Sequence, residues 1–220
     1  LKIYICYLFF LLCIHSTAQD SPNFLWLICE DQSLFFSMYG DSSAYTPNLD
    51  QLANDGVVYQ NCYTPSPVCA PSRSSLITGM YPTTLGTHQM RAYKKTAKNK
   101  SINMHNLLPY YSSKPKKPVQ FFTEILRENG YYCTNNAKED YNMITSPLAW
   151  DESSKTAHWR NKQVGQPFFS VFNFNVTHES NVWMNEGLYS KNELESVLVP
   201  NIFPDHLSIK RDILTNYKNI

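Results

Sequence analysis

The chain lacks an excess of charge of either sign. Lys and Arg total 19 and Asp and Glu 18 among 220 residues. No global field therefore draws nucleic acid to it, and an anionic substrate must be held by local groups. A long apolar run is missing too. The stretch Tyr4 to Ile14 is too short to span a bilayer, and between Lys2 and Ser16-Thr17-Ala18 it has the three parts of a secretory signal peptide. Residues 1–18 are read as that peptide, with cleavage after Ala18. Leu12 stands where a small residue would precede a lipidated cysteine, so Cys13 is not read as a lipoprotein anchor. Loss of Lys2 with the peptide brings Lys and Arg to 18 against 18 acidic residues and leaves residues 19–220 formally neutral. No Cys/His cluster stands at zinc spacing, and no internal repeat is visible. The cysteines beyond the peptide are Cys29, Cys62, Cys69 and Cys133. That even number allows two disulfides in an oxidising compartment.

What is present is enough chain, with many aromatics, for one sizeable domain with a real core. Phe24 to Cys29 is a continuous apolar run of strand length, which predicts a central strand covered on both faces. Thr46 and Pro47 open a helix as N-cap and first position, with Leu49, Leu52 and Ala53 as its buried stripe and Gly56 as its end. Val57 to Asn61 reads as a second strand. Strand, helix and strand together predict the βαβ pattern of a mostly parallel α/β sheet. Further on, Val119, Phe122, Ile125 and Leu126 have helical spacing up to Gly130, Tyr131 to Asn135 reads as a strand, and so does Pro167 to Phe174. Lys94 to Lys117 is lysine-rich without periodicity, an exposed loop. Residues 145–166 carry no motif. The tail from Pro204 reads as a helix.

Several residues point to chemistry. Cys69-Ala70-Pro71-Ser72-Arg73 sets a cysteine at the entry of a short helix, where free amides favour negative charge. A structural or disulfide-bonded cysteine is the other reading. Glu30-Asp31 closes the first strand where open α/β sheets place ligands, and paired carboxylates suit a hard cation such as Ca²⁺ or Mg²⁺; a solvated turn is the alternative. His88, Lys138 and His178 stand in loops, where a surface or structural role competes with a functional one. Asn99-Lys100-Ser101 and Asn175-Val176-Thr177 fit the glycosylation sequon, which matters only in a eukaryotic secretory pathway.

Cys69-x-Pro71-Ser72-Arg73 with Thr78-Gly79-Met80-Tyr81-Pro82 resembles the signature of the type I sulfatases, members of the alkaline phosphatase superfamily. Thr46 to Asp50 and Tyr63 to Pro65 are similar to further family motifs. Gly86-Thr87-His88-Gln89-Met90-Arg91 resembles a run in the branch that includes sulfoglucosamine sulfohydrolase-like proteins. The resemblance spans about residues 22–220 and corresponds to the first part of a sulfatase. It implies an alkaline phosphatase-like α/β fold in which Cys69 is oxidised to formylglycine by a maturation enzyme. It also implies Ca²⁺ held by Glu30, Asp31 and residue 69, where sulfatases usually carry Asp-Asp. Arg73 and Lys138 are implied to compensate sulfate charge, with His178 as the acid. His88, Arg91 and Asp140 are implied to line the substrate pocket, Asp140 replacing a histidine that the family commonly carries. A later segment, which normally supplies a second Asp with an Asn/His pair and another lysine, is absent, so the chain reads as truncated.

The leading expectation is an exported enzyme, periplasmic or secreted, that hydrolyses sulfate esters or N-sulfates of saccharides. Two rivals remain. One is a phosphodiesterase or phosphatase of the same superfamily, against which Cys69 argues, because those enzymes usually carry Ser or Thr at the nucleophile. The other is an inactive secreted protein or partial gene product.

Overall fold

A computed structural model describes residues 21–90, 112–115, 118–184 and 187–220. The signal peptide, Arg91, the sequon at Asn99 and most of the lysine-rich loop lie outside the described residues. The core of the fold is a four-stranded sheet. It comprises β1 (Phe24–Cys29), β2 (Tyr132–Asn136), β3 (Glu152–Ser153) and β4 (Phe168–Phe174), in the order β1-β4-β2-β3. Every pairing is parallel: Phe24 lies opposite Phe169, Tyr132 opposite Phe168, and Thr134 opposite Glu152. The mostly parallel α/β expectation is borne out.

Parallel strands need crossovers. The one from β1 to β2 carries α1 (Pro47–Asp55), α2 (Cys69–Thr78), α3 (Pro82–Leu85) and α4 (Phe122–Glu128). No α-helix of the described residues lies between β2 and β3 or between β3 and β4, and α5 (Glu179–Met184), α6 (Lys191–Ser196) and α7 (Leu207–Asn219) follow β4. Gly79 ends α2 in the left-handed region at φ 67°, a conformation costly for other residues, and its N–H donates to Ser75 O at 2.8 Å. Ser190 and Glu193 form a reciprocal capping box on α6.

β4 is the strand with both faces covered. Phe169 is 2% exposed and meets Trp26, Phe122 and Trp150, with ring centroids at 4.9, 5.1 and 6.2 Å. Cys133 and Val171 complete that cluster, and a second one gathers Ile77, Phe121, Tyr141 and Ala149 beneath α2. The packing therefore ties α2 to the sheet.

Four expectations are corrected. β1 has the predicted bounds but lies at the edge of this sheet. Trp26 and Ile28 pack on the core, whereas Leu25 and Leu27 on the other face are exposed. A continuous apolar run registers that a strand can be covered, not which segment covers it. The helix at Pro47 also forms as expected, yet none of its residues is buried and Leu52 is 61% exposed. Thr46 precedes it without capping it, because its Oγ1 sits 2.6 Å from Ser37 Oγ. Val57 to Asn61 is not a strand, since no strand among the described residues offers it a ladder. The four cysteines of the described residues are all free thiols. Burial, and secondarily the charge of Asp151, pushes the Cys133 thiol up to about 12, which makes it an inert core residue.

Candidate active site

The C-terminal ends of β1, β2 and β4 meet the N-terminal half of α2, the location where open α/β sheets hold their ligands. Cys69 is the first residue of α2. Ala70, Pro71, Arg73, Ser74 and Ser75 behind it are buried, so the half-buried cysteine is presented from an anchored turn. Arg73 follows by four residues and shares the cysteine's side of the helix.

Glu30 lies just past β1. Its N–H continues the ladder to Phe174 O at 3.2 Å, and its carbonyl accepts from Thr177 Oγ1 at 2.6 Å. The side chain is 4% exposed and sits between two cations: Oε1 pairs with Arg73 Nη2, and Oε2 lies 2.5 Å from Lys138 Nζ. Burial pushes this carboxyl upward, but the hydrogen bond from Lys138 and the charge of Arg73 outweigh it and hold Glu30 below its ordinary value. Arg73 also donates through Nη1 to Lys138 O at 3.1 Å and through Nη2 to Asn173 Oδ1 at 2.7 Å. Asp140 lies 3.9 Å from Lys138 Nζ.

Asp31 turns the other way. It adopts φ 51°, its Oδ2 accepts the Glu179 N–H at 3.0 Å, and the same oxygen faces His178 Nε2 at 3.7 Å. His178 Nδ1 accepts the Ser180 N–H at 3.2 Å, which leaves the imidazole proton of the neutral ring on Nε2. Asp140 and Asn142, in the loop after β2, are also left-handed, at φ 51° and 58°. Short polar side chains tolerate that region best, and such residues concentrate where a site is held in shape by its surroundings.

Glu30, Arg73, Lys138 and Asp140 are thus brought into one cluster, with Asp31 and His178 paired alongside. His88 is exposed on the turn after α3. That turn is pinned by Asn142 Nδ2, which donates to Thr87 O at 3.1 Å and also to Gln89 O. Sequence reasoning missed Asn142 and Asn173, and it named Thr177 only within a glycosylation sequon, without its bond to Glu30 O. The only trace of them was position: each follows or closes a strand-like run.

As a cation site the described residues are chemically apt and numerically short. Hard cations take six to eight oxygens, whereas among the described residues no three His, Cys, Asp or Glu side chains converge on a point that could hold a metal. Both Glu30 oxygens are already engaged by cations. These residues alone do not fit a complete Ca²⁺ shell.

The fold and this cluster define an α/β protein with an anion-handling site at the ends of its parallel strands. The sulfatase family model matches residues 22–197, and the chain belongs to the sulfatase family. It is 47% identical over 169 residues to an ulvan-active sulfatase of Formosa agariphila, covering 77% of this chain and 27% of that protein. With mouse iduronate 2-sulfatase the identity is 37% over 141 residues, 61% of this chain and 22% of the relative. With human N-acetylgalactosamine-6-sulfatase it is 37% over 83 residues, 37% of this chain and 16% of the relative. The chain thus spans about a quarter or less of the length of these relatives. Among solved structures, that of Ps i-CgsB superposes with TM-score 0.54 at 15% identity, over 91% of this chain and 53% of its own. A protein in complex with its substrate D-glucosamine-2-N,6-O-disulfate gives 0.50 at 18%, over 79% and 40%. At those identities the likeness is one of fold. Sulfatases in general use formylglycine and a divalent metal.

Proposed function

We propose that this chain supplies the nucleophile and part of the sulfate-binding machinery of an exported sulfatase, periplasmic or secreted, that acts on sulfated saccharides. The observation that carries the reading is the convergence of Arg73, four residues after Cys69, with Lys138 at the ends of parallel strands, beside the Asp31–His178 pair. The relatives named above are sulfatases of ulvan, iduronate and N-acetylgalactosamine, and the substrate class is carried over from them.

Cys69 fits conversion to formylglycine by a maturation enzyme: it is a free thiol on an anchored turn, with proline and arginine at the required spacing. When formed, that group supplies a hydrated aldehyde with two hydroxyls, one to attack sulfur and the other to release sulfate. Arg73 and Lys138 hold the sulfate oxygens and offset the charge that develops on them. His178 is assigned as the acid: protonated on both ring nitrogens, it would give its Nε2 proton to the departing alcohol or amine and be left neutral, with Nδ1 held by Ser180. Asp31, on the same nitrogen, steadies the ring in that orientation. His88, Arg91 and Asp140 are assigned to the substrate pocket. The test is turnover of a chromogenic aryl sulfate and of sulfated saccharides by the whole protein, produced with the maturation enzyme. Turnover of phosphate esters in place of sulfates would overturn the reading.

Within the same proposal, Glu30, Asp31 and residue 69 are this chain's share of a Ca²⁺ site, with further donors from outside the described residues. Glu30, Asp31 and Asp140 outnumber Arg73 and Lys138, so a sulfate needs additional positive charge nearby. Carboxylate donors select calcium over zinc. Metal analysis of the whole protein should return stoichiometric calcium, and stoichiometric zinc in its place would refute the assignment.

A further inference from the structure

Arg73 is held at three points, and only two of them lie on segments singled out by the motifs. The third is Asn173, near the end of β4. Its amide has no freedom to choose its orientation: Nδ2 donates to Asn135 Oδ1 at 3.0 Å and to Asn136 O at 3.0 Å. Oδ1 is therefore turned to Arg73, whose Nη2 donates to it at 2.7 Å. Asn135 is 1% exposed and is fixed in turn, its Nδ2 donating to Ser153 Oγ at 3.1 Å. A line of side chains thus runs from β3 through β2 and β4 into α2, across the strand ends. Salt bridging to one carboxylate leaves a guanidinium able to swing about that contact; acceptors placed on its other N–H groups fix its plane.

We propose that Asn173 is a positioning residue for Arg73, setting the guanidinium plane that faces the sulfate. This rests on the sulfatase reading of the same site. The chemistry requires an amide. Aspartate at 173 has the same shape but no donor, so its oxygens would face Asn135 Oδ1 and the Asn136 carbonyl, and it would add a negative charge beside Glu30. Alanine leaves the Asn135 oxygen and an Arg73 N–H without their partner in a partly buried site.

The experiment uses the whole protein with Cys69 matured, formylglycine content being measured by peptide mass spectrometry in every variant. Asn173→Ala and the isosteric Asn173→Asp are each expected to lower kcat for an aryl sulfate by roughly 10–100-fold, the range typical when a supporting partner is removed. KM should change by less than about threefold, because the lost alignment acts on charge that develops during reaction. In an Arg73→Ala background, Asn173→Ala should cost nothing further, since the residue acts only through that guanidinium. A crystal structure of either variant should show Arg73 rotated away from the Lys138 carbonyl. Undiminished kcat in both variants, an equal loss in the Arg73→Ala background, or an unmoved Arg73 would each overturn the proposal. Failure of the sulfatase reading shows separately, as a matured wild type without turnover, and the crystal structure then still decides the positioning role.

Discussion

Cys69→Ser in the whole protein is expected to lose steady-state turnover of sulfate substrates by at least about 10³-fold, the scale seen when a covalent nucleophile is removed. Serine keeps one hydroxyl at the same turn, so attack on sulfur remains open to it. What it lacks is the second hydroxyl needed to expel sulfate. The variant should therefore release at most about one equivalent of product per site and then stop, with mass spectrometry showing a retained sulfate on residue 69. The helix should be undisturbed, because Ala70, Pro71, Ser74 and Ser75 anchor it rather than the thiol. Unchanged steady-state turnover by the variant would remove residue 69 from the chemistry. Recovery of the wild-type residue solely as thiol or disulfide, beside a control sulfatase that is converted, would remove formylglycine from it. The fully buried cysteine gives a useful contrast. Cys133 is closed off in the core with its thiol pushed up to about 12. It should stay a thiol under the same maturation.

The elements that position the site were legible where apolar content and punctuation coincide. β1 has the predicted bounds because Phe24 to Cys29 is unbroken and Glu30-Asp31 ends it. β4 follows from Pro167 and the aromatic run behind it, and the start of α2 from Cys69-x-Pro71. What failed depended on partners distant in sequence. Val57 to Asn61 has strand composition, but a strand exists only beside another. Leu49 and Leu52 have helical spacing, but among the described residues Leu49 is only half-buried and Leu52 is exposed. β3 is two residues long and leaves no period to read.

The site divides in the same way. Arg73 was legible as a candidate from its fixed spacing to Cys69, and Lys138 and His178 as candidates implied by the family resemblance. Asn173 was not, because its partner Arg73 is 100 residues away and a single polar residue in a strand has no pattern. Glu30 was legible as an acidic residue at the right end of the right strand. Its engagement by two cations was not, since those cations arrive from α2 and from the loop after β2.

That engagement sets the other large effect. Glu30→Gln keeps the shape and removes the charge that Arg73 and Lys138 share. All three side chains are largely buried, at 4%, 9% and 17% exposure. Removing one member of a buried ion pair strands the others and typically costs about 3–5 kcal/mol, which would be a large fraction of the stability of a domain of this size. The pH dependence has a definite sign. Glu30 titrates below its ordinary value when folded, so its contribution is present above about 4.5, the unfolded value. It is lost as pH falls through the lower folded value. Denaturant unfolding of wild type and variant should therefore differ widely near pH 7 and converge as the solution is acidified below about pH 4. A chelator separates the two roles assigned to this residue. If the ion pairs carry the stability, the gap between wild type and Glu30→Gln persists after chelation, as their geometry predicts. A gap that closes once calcium is stripped would make Glu30 a metal ligand whose pairing with Arg73 and Lys138 adds no stability of its own.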